Sequence, residues 1–183
     1  MNLYLLRHAS AGTRRPNPTI DNKRPIDKAG REHCVHLAQV LNAFNLNFDL
    51  ILSSPLKRCL QTASFVGTET GYDAPIQISR ALSPAGTYAE FQQLVAQCAK
   101  HEDVLMVGHN PNITHFHGSL LTPAASKTTA AVRMRKGSIA RVAFSREGRE
   151  KHPATLTWLL DPRMVRALYI NSAKSSRRKT SRK

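Results

Sequence analysis

The chain has 183 residues, 41% of them hydrophobic, enough for one domain with a substantial core and without a clear need for a second. No apolar stretch approaches the roughly 20 residues of a membrane-spanning helix, and the short apolar start has no basic segment before it, so a soluble cytoplasmic protein is expected. The formal charge of +15 is uneven: eight basic residues and no acidic one follow from Arg163 to the end, about half of the excess.

The first element is "NLYLLR", a buried strand that ends abruptly in Arg7 and His8. "GTRRPNPTIDNKRP", dense in Pro, Asn and basic residues, reads as a loop. Asp27 stands where a helix N-cap belongs, and Cys34, Leu37, Ala38, Leu41 and Phe44 recur at helical spacing after it. "FDLILSSP" is a second buried strand closing in Ser53 and Ser54, and "PLKRCLQTASFVGTETG" a helix with Pro55 near its first turn and Gly71 near its end. "PIQIS" is a brief strand, "TYAEFQQLVAQCAKH" a helix, and "DVLMVGHNP" a strand as apolar as the first.

Strands alternating with helices predict right-handed crossovers, a mainly parallel sheet and helices on both faces, a three-layer α/β/α sandwich. "AAVRMRKGSIARVAFS" and "ATLTWLLD" then follow as strands with no helix between them, which suits antiparallel additions at a sheet edge. The domain is expected to span 1–162, with 163–183 a basic tail whose end, "NSAKSSRRKTSRK", has no apolar periodicity and should be disordered. Such a tail attracts acidic surfaces only weakly and without specificity. Cys34, Cys59 and Cys98 are odd in number, lack metal-ligand spacing and fall in helical segments, which fits a reducing compartment.

In such sheets the working crevice lies at the carboxyl ends of the parallel strands. Arg7–His8, Ser53–Ser54 and Gly108–His109 each end one of those strands, and Arg58 follows in the helix leaving the same edge. Two arginines offer planar, permanently charged forks suited to phosphate oxygens, and a helix start adds N–H groups of positive potential. A neutral histidine can attack phosphorus and carry the phosphoryl group covalently, so His8 is the candidate nucleophile. His109 would share the developing negative charge with Arg7 and Arg58. His109, His115 and His117 do not suggest a metal site, because residues two apart on the predicted helix "PNITHFHGSLL" point to opposite sides.

These residues also carry a resemblance. "LLRHAS" resembles the RH signature of the histidine phosphatase superfamily and "GHNP" its second histidine motif. "RPIDKAG", "SSPLKRCLQTA", "LSPAGT" and "TLTWLLDP" follow the order of the short, SixA-type phosphohistidine phosphatase branch, over roughly residues 2–162. The resemblance implies a phosphoglycerate mutase-like fold, His8 as phosphoryl acceptor, Arg7 and Arg58 as phosphate ligands, His109 completing the pocket, and no metal or organic cofactor. It also implies pocket roles for Arg24, from the Arg-Pro motif, and Ser54, before the proline of the arginine helix. Larger members use an acidic residue to protonate an alkoxide leaving group; Glu90 is the one carboxylate in the matching region "LSPAGTYAEF" and is a candidate general acid. Were Glu90 absent from the pocket, phosphohistidine would be favoured over sugar phosphates, since imidazole leaves with less help than an alkoxide. The expected partner is a phosphohistidine-bearing protein. The competing readings are a phosphatase for a small phosphomonoester or phosphorylated metabolite, and a non-catalytic phosphate or nucleic-acid binding module.

Overall fold

The structure, a computed structural model, describes residues 1–123, 126, 128–144 and 154–170. Its strands are β1 (Asn2–Arg7), β2 (Leu50–Ser53), β3 (Gln77–Ile78), β4 (Asp103–Gly108), β5 (Ile139–Phe144) and β6 (Ala154–Leu160). The helices are α1 (Pro18–Asn22), α2 (Lys28–Ala43), α3 (Lys57–Glu69), α4 (Tyr88–Gln97), α5 (Asn112–Leu120) and α6 (162–170).

One mixed sheet of six strands in the order β3-β2-β4-β1-β5-β6 organises the fold. β3, β2, β4 and β1 run parallel, and β5 and β6 add antiparallel at the β1 side, as the pattern of elements predicts. β1 lies inside the sheet, and its alternation divides the core. Leu3 and Leu5 join Leu52, Met106, Phe91 and Phe116 on one face, toward α4 and α5. Tyr4 and Leu6 join Leu37, Leu41, Ala63 and Val66 on the other, toward α2 and α3. A strand covered on both faces must be apolar at successive positions, which accounts for the unbroken run Leu3–Leu6.

Asp27 caps α2 as expected, its Oδ1 accepting from Gly30 N at 2.7 Å. Phe44, expected on the buried face of that helix, falls on its C-cap and is exposed. α3 starts at Lys57, two residues later than Pro55, because Leu56 keeps an extended backbone. The loop before Pro25 contains α1, which the density of Pro and basic residues hides: Asn17 accepts from Thr19 N at 2.9 Å and Pro18 opens the helix. β5 begins only at Ile139, after Gly137 turns the chain at a φ of 81°.

The basic segment from Arg163 does not begin as a tail. Residues 163–170 belong to α6, where Val165 is fully buried and the Tyr169 ring stacks on His36 at 4.0 Å. The domain therefore continues past the boundary expected at 162; "NSAKSSRRKTSRK" lies outside the described residues. Cys34, Cys59 and Cys98 are buried free thiols. Among the described residues no helix is long and apolar enough to cross a membrane.

Candidate active site

The parallel ladders deliver the key residues to one edge. Arg7 pairs with Gly108 and Ser53 with Val107, so His8, His109 and Ser54 are the next residues out on three adjacent strands. His8 N donates to Gly108 O at 3.0 Å and Ser54 N to Val107 O at 3.0 Å, extending both ladders by one step. Arg58 enters from the first turn of α3, and together with Arg7, His8, Arg24 and His109 it lines a cavity of about 480 Å³.

His8 is buried, with Nδ1 2.8 Å from the carbonyl oxygen of Ala9. A carbonyl only accepts, so Nδ1 carries the proton and Nε2 keeps its lone pair. The ring is pushed down to a pKa of about 4, first by burial and then by the charges of Arg58, Arg7 and Lys136, against the opposing effect of Ala9. His8 is therefore neutral at physiological pH. The residue after it is clasped by α3: Ala9 N donates to Thr62 Oγ1 at 3.1 Å, and that hydroxyl donates to Arg58 O at 2.7 Å.

His109 is buried with its ring centroid 5.1 Å from that of His8. Nε2 lies 2.8 Å from Ser54 Oγ and 3.3 Å from Cys59 Sγ. Burial, followed by His8, Arg58 and Arg7, pushes its pKa down to about 3. Both histidines are thus neutral at physiological pH. An anion entering between the arginines opposes the repulsion that holds them so.

Each arginine is anchored through one nitrogen and leaves another unsatisfied. Arg7 Nη1 donates to Met134 O at 2.9 Å, and Arg58 Nη1 to Asp21 O at 3.0 Å. The Nε atoms of both are buried without a hydrogen-bond partner. A buried unpaired donor on a cation is costly, and phosphate oxygens would supply its acceptor.

Asp21 was not legible from spacing. It sits on α1, 3.5 Å from Arg58 Nη1 through Oδ2 and 2.9 Å from Arg24 Nε through Oδ1. The Arg15 N–H bond first, then Arg24 and Arg58, hold its carboxyl well down, at about 2, against its burial. Arg24 lines the pocket as expected, but it is tied to Asp21 and to the carbonyls of Ala11 and Gly12. Its role is to brace the mouth. The Asn17-Pro18 capping pair was the available signal for α1 and so for Asp21. Lys136, also unforeseen, reaches the pocket from the turn that precedes β5.

Glu90 does not reach the pocket. It is the third residue of α4, and its Oε2 accepts from Thr87 N at 2.7 Å and from Thr87 Oγ1 at 2.8 Å, a reciprocal capping box. The expectation of a general acid at Glu90 is thereby corrected: its carboxylate closes a helix end in solvent. His115 is exposed on α5 while His117 is buried, and among the described residues no three His, Cys, Asp or Glu side chains converge as a metal site would.

The model of the histidine phosphatase superfamily, branch 1, matches residues 3–85. An uncharacterized protein of Picosynechococcus sp. is 31% identical over 115 residues, 62% of this chain and 68% of that protein. Among solved structures, the protein histidine phosphatase SixA complexed with tungstate superposes with a TM-score of 0.75 at 21% identity, over 88% of this chain and 97% of that one. A mycobacterial glucosyl-3-phosphoglycerate phosphatase superposes with a TM-score of 0.63 at 20% identity, over 85% and 96%. At these identities the two structural likenesses are likenesses of fold.

Proposed function

Because this chain belongs to the histidine phosphatase superfamily, we propose that it is a phosphatase that removes phosphate from phosphohistidine carried on a protein, by way of a covalent phosphohistidine on its own His8. Nε2 of His8 forms a bond to phosphorus as the bond from phosphorus to the substrate imidazole breaks, and that imidazole leaves with a proton taken from solvent. A water molecule then attacks phosphorus, the bond to His8 breaks, and inorganic phosphate departs. Arg7, Arg58 and an N–H of His109 hold the equatorial oxygens in both steps. No step calls on a metal.

One observation supports phosphohistidine over an ordinary phosphomonoester. Asp21 is the only carboxylate lining the pocket among the described residues, and it is held ionised by the groups around it. A carboxylate that stays ionised at working pH cannot protonate a departing alkoxide, whereas an imidazole leaving group depends less on such a proton. The fold itself is neutral on this point, since it is shared with SixA and with a glucosyl-3-phosphoglycerate phosphatase.

The test follows phosphate release from a phosphohistidine peptide and from a generic phosphomonoester, with chelator present, for the protein and for His8→Ala. His8-dependent release that is faster from phosphohistidine is expected. Release mainly from the monoester would replace this reading with that of a metabolite phosphatase. Unchanged turnover by His8→Ala would remove the covalent mechanism.

A further inference from the structure

Beside the pocket runs a shallow groove lined by Asn22, Lys23, Pro55, Leu56, Lys57 and Leu60, where the end of α1 meets the start of α3. It shares Asn22 and Leu56 with the pocket, so the two are continuous. Lys23 and Lys57 are exposed, and neither forms an ion pair among the described residues. Ile20, one turn of α1 away from Lys23, is 57% exposed. Across the pocket, Arg14, Arg15 and Lys136 are exposed as well. Asp21, the one carboxylate among the residues that line the pocket and the groove, is already paired with Arg24 and Arg58.

We infer that this groove and the cationic rim are the docking site for an acidic, apolar-edged surface of the protein that carries the phosphohistidine. The inference rests on the phosphohistidine reading above and names the partner's chemistry. A phosphate group needs Arg7, Arg58 and the histidines; it has no use for two lysines outside the pocket. Charges spread around an opening, with an apolar floor of Pro55, Leu56 and Leu60 between them, match a surface larger than a metabolite. Residues flanking a phosphohistidine inserted in the pocket come to rest on the groove, because the two are continuous. The groove lining contains no aromatic side chain on which a nucleic-acid base could stack, which separates this surface from a single-strand binding face. A second copy of the chain would bring like charge against like.

The probes are two phosphohistidine peptides of one length, the flanks of one rich in Glu and Leu and those of the other rich in Lys and Leu, with phosphoramidate as the small substrate. The full chain is compared with the double variant Lys23→Glu, Lys57→Glu, both substitutions lying on exposed positions and the second agreeing with the dipole of α3. The wild-type chain should favour the acidic peptide by about tenfold in kcat/KM, mostly through KM and less so at high salt. The variant should lose or invert that preference while its turnover of phosphoramidate holds. Equal use of both peptides by the wild-type chain, or a variant whose preference is unchanged, overturns the docking site and leaves the phosphohistidine reading standing. An equal loss on the peptides and on phosphoramidate also overturns it, since the lysines would then act only through the field of the pocket. Release from phosphomonoester but from neither peptide nor phosphoramidate overturns the phosphohistidine reading and the docking site with it.

Discussion

Ser54 Oγ lies 2.8 Å from Nε2 of His109, and the same oxygen accepts the N–H of Leu56 at 3.4 Å. The expected arrangement has the hydroxyl, which accepts from the backbone, donating its own hydrogen to Nε2, so that His109 carries its proton on Nδ1, as His8 does. Ser54→Ala should lower kcat about 3- to 30-fold with little change in KM, and Ser54→Thr should restore much of it. Nitrogen chemical shifts of His109 report the tautomer directly; an Nε2–H form in the wild-type protein would contradict this assignment.

Acid should destabilise the protein earlier than carboxylate titration alone would. His8, His109 and His117 have folded pKa values near 4, 3 and 4, below the ordinary value of 6.5, chiefly because each is buried. Between about pH 6.5 and 4 the unfolded chain binds more protons than the folded one, so stability is full above that window and falls as pH drops through it. Asp21, at about 2, adds a loss of the same sign below its ordinary value of 3.8. Thermal unfolding across this range should show a declining midpoint. Inorganic phosphate should raise the midpoint at each pH, and a flat profile from 6.5 to 4 would be inconsistent with buried neutral histidines.

The same shift governs turnover. Since His8 stays neutral to about pH 4, kcat/KM for a substrate that does not itself titrate there should show no acid limb near 6.5. A limb centred near 6.5 would mean that an ordinary, solvated histidine limits the reaction.

Arg58→Lys keeps a positive charge but loses the planar fork whose Nη1 bonds Asp21 O and whose Nε is buried without a partner. A fall of about 10- to 100-fold in kcat/KM is expected, with Arg58→Ala at least as severe. Asp21→Asn should leave the fold intact, raise KM several-fold and lower the unfolding midpoint by a few degrees, because Arg58 and Arg24 lose their common counter-charge. Steady-state kinetics with a melting curve separate the two effects.

Gly137 is a further position with a sharp prediction. Its φ of 81° is open to glycine, a Cβ there would run into the His33 ring, and its N–H donates to Arg7 O at 3.0 Å and His8 O at 3.1 Å. Gly137→Ala should cost about 1–2 kcal/mol of stability and reduce turnover by displacing the end of β1. An unaltered melting curve would show that the turn yields more easily than its geometry implies.

Legibility in the sequence followed the range of the interactions. Strand ends were readable because an apolar run that stops at Arg7, Ser53 or Gly108 marks both the strand and the edge where it opens; Arg7, His8 and His109 follow from that, and Arg58 from the helix that leaves the same edge. Asp21 was missed because its importance lies in two arginines, one of them 37 positions away, and because a five-residue helix gives no periodicity. Glu90 misled for the opposite reason. Its spacing from Thr87 is the signature of a capping box, a local rule that accounts for the carboxylate fully without any reference to the pocket. The extension of the domain into α6 rests on Val165 and Tyr169, two apolar residues in a segment whose charge dominates its reading.

The parallel ladder between β1 and β4 acts as a ruler. Because Arg7 is in register with Gly108, the spacing between His8 and His109 is written in backbone hydrogen bonds of the sheet and not in the loops around the pocket. On the proposed reading, changes to the rim from Gly12 to Pro25 should alter which substrates are taken while leaving that spacing alone, provided a carboxylate remains at position 21 to hold Arg58.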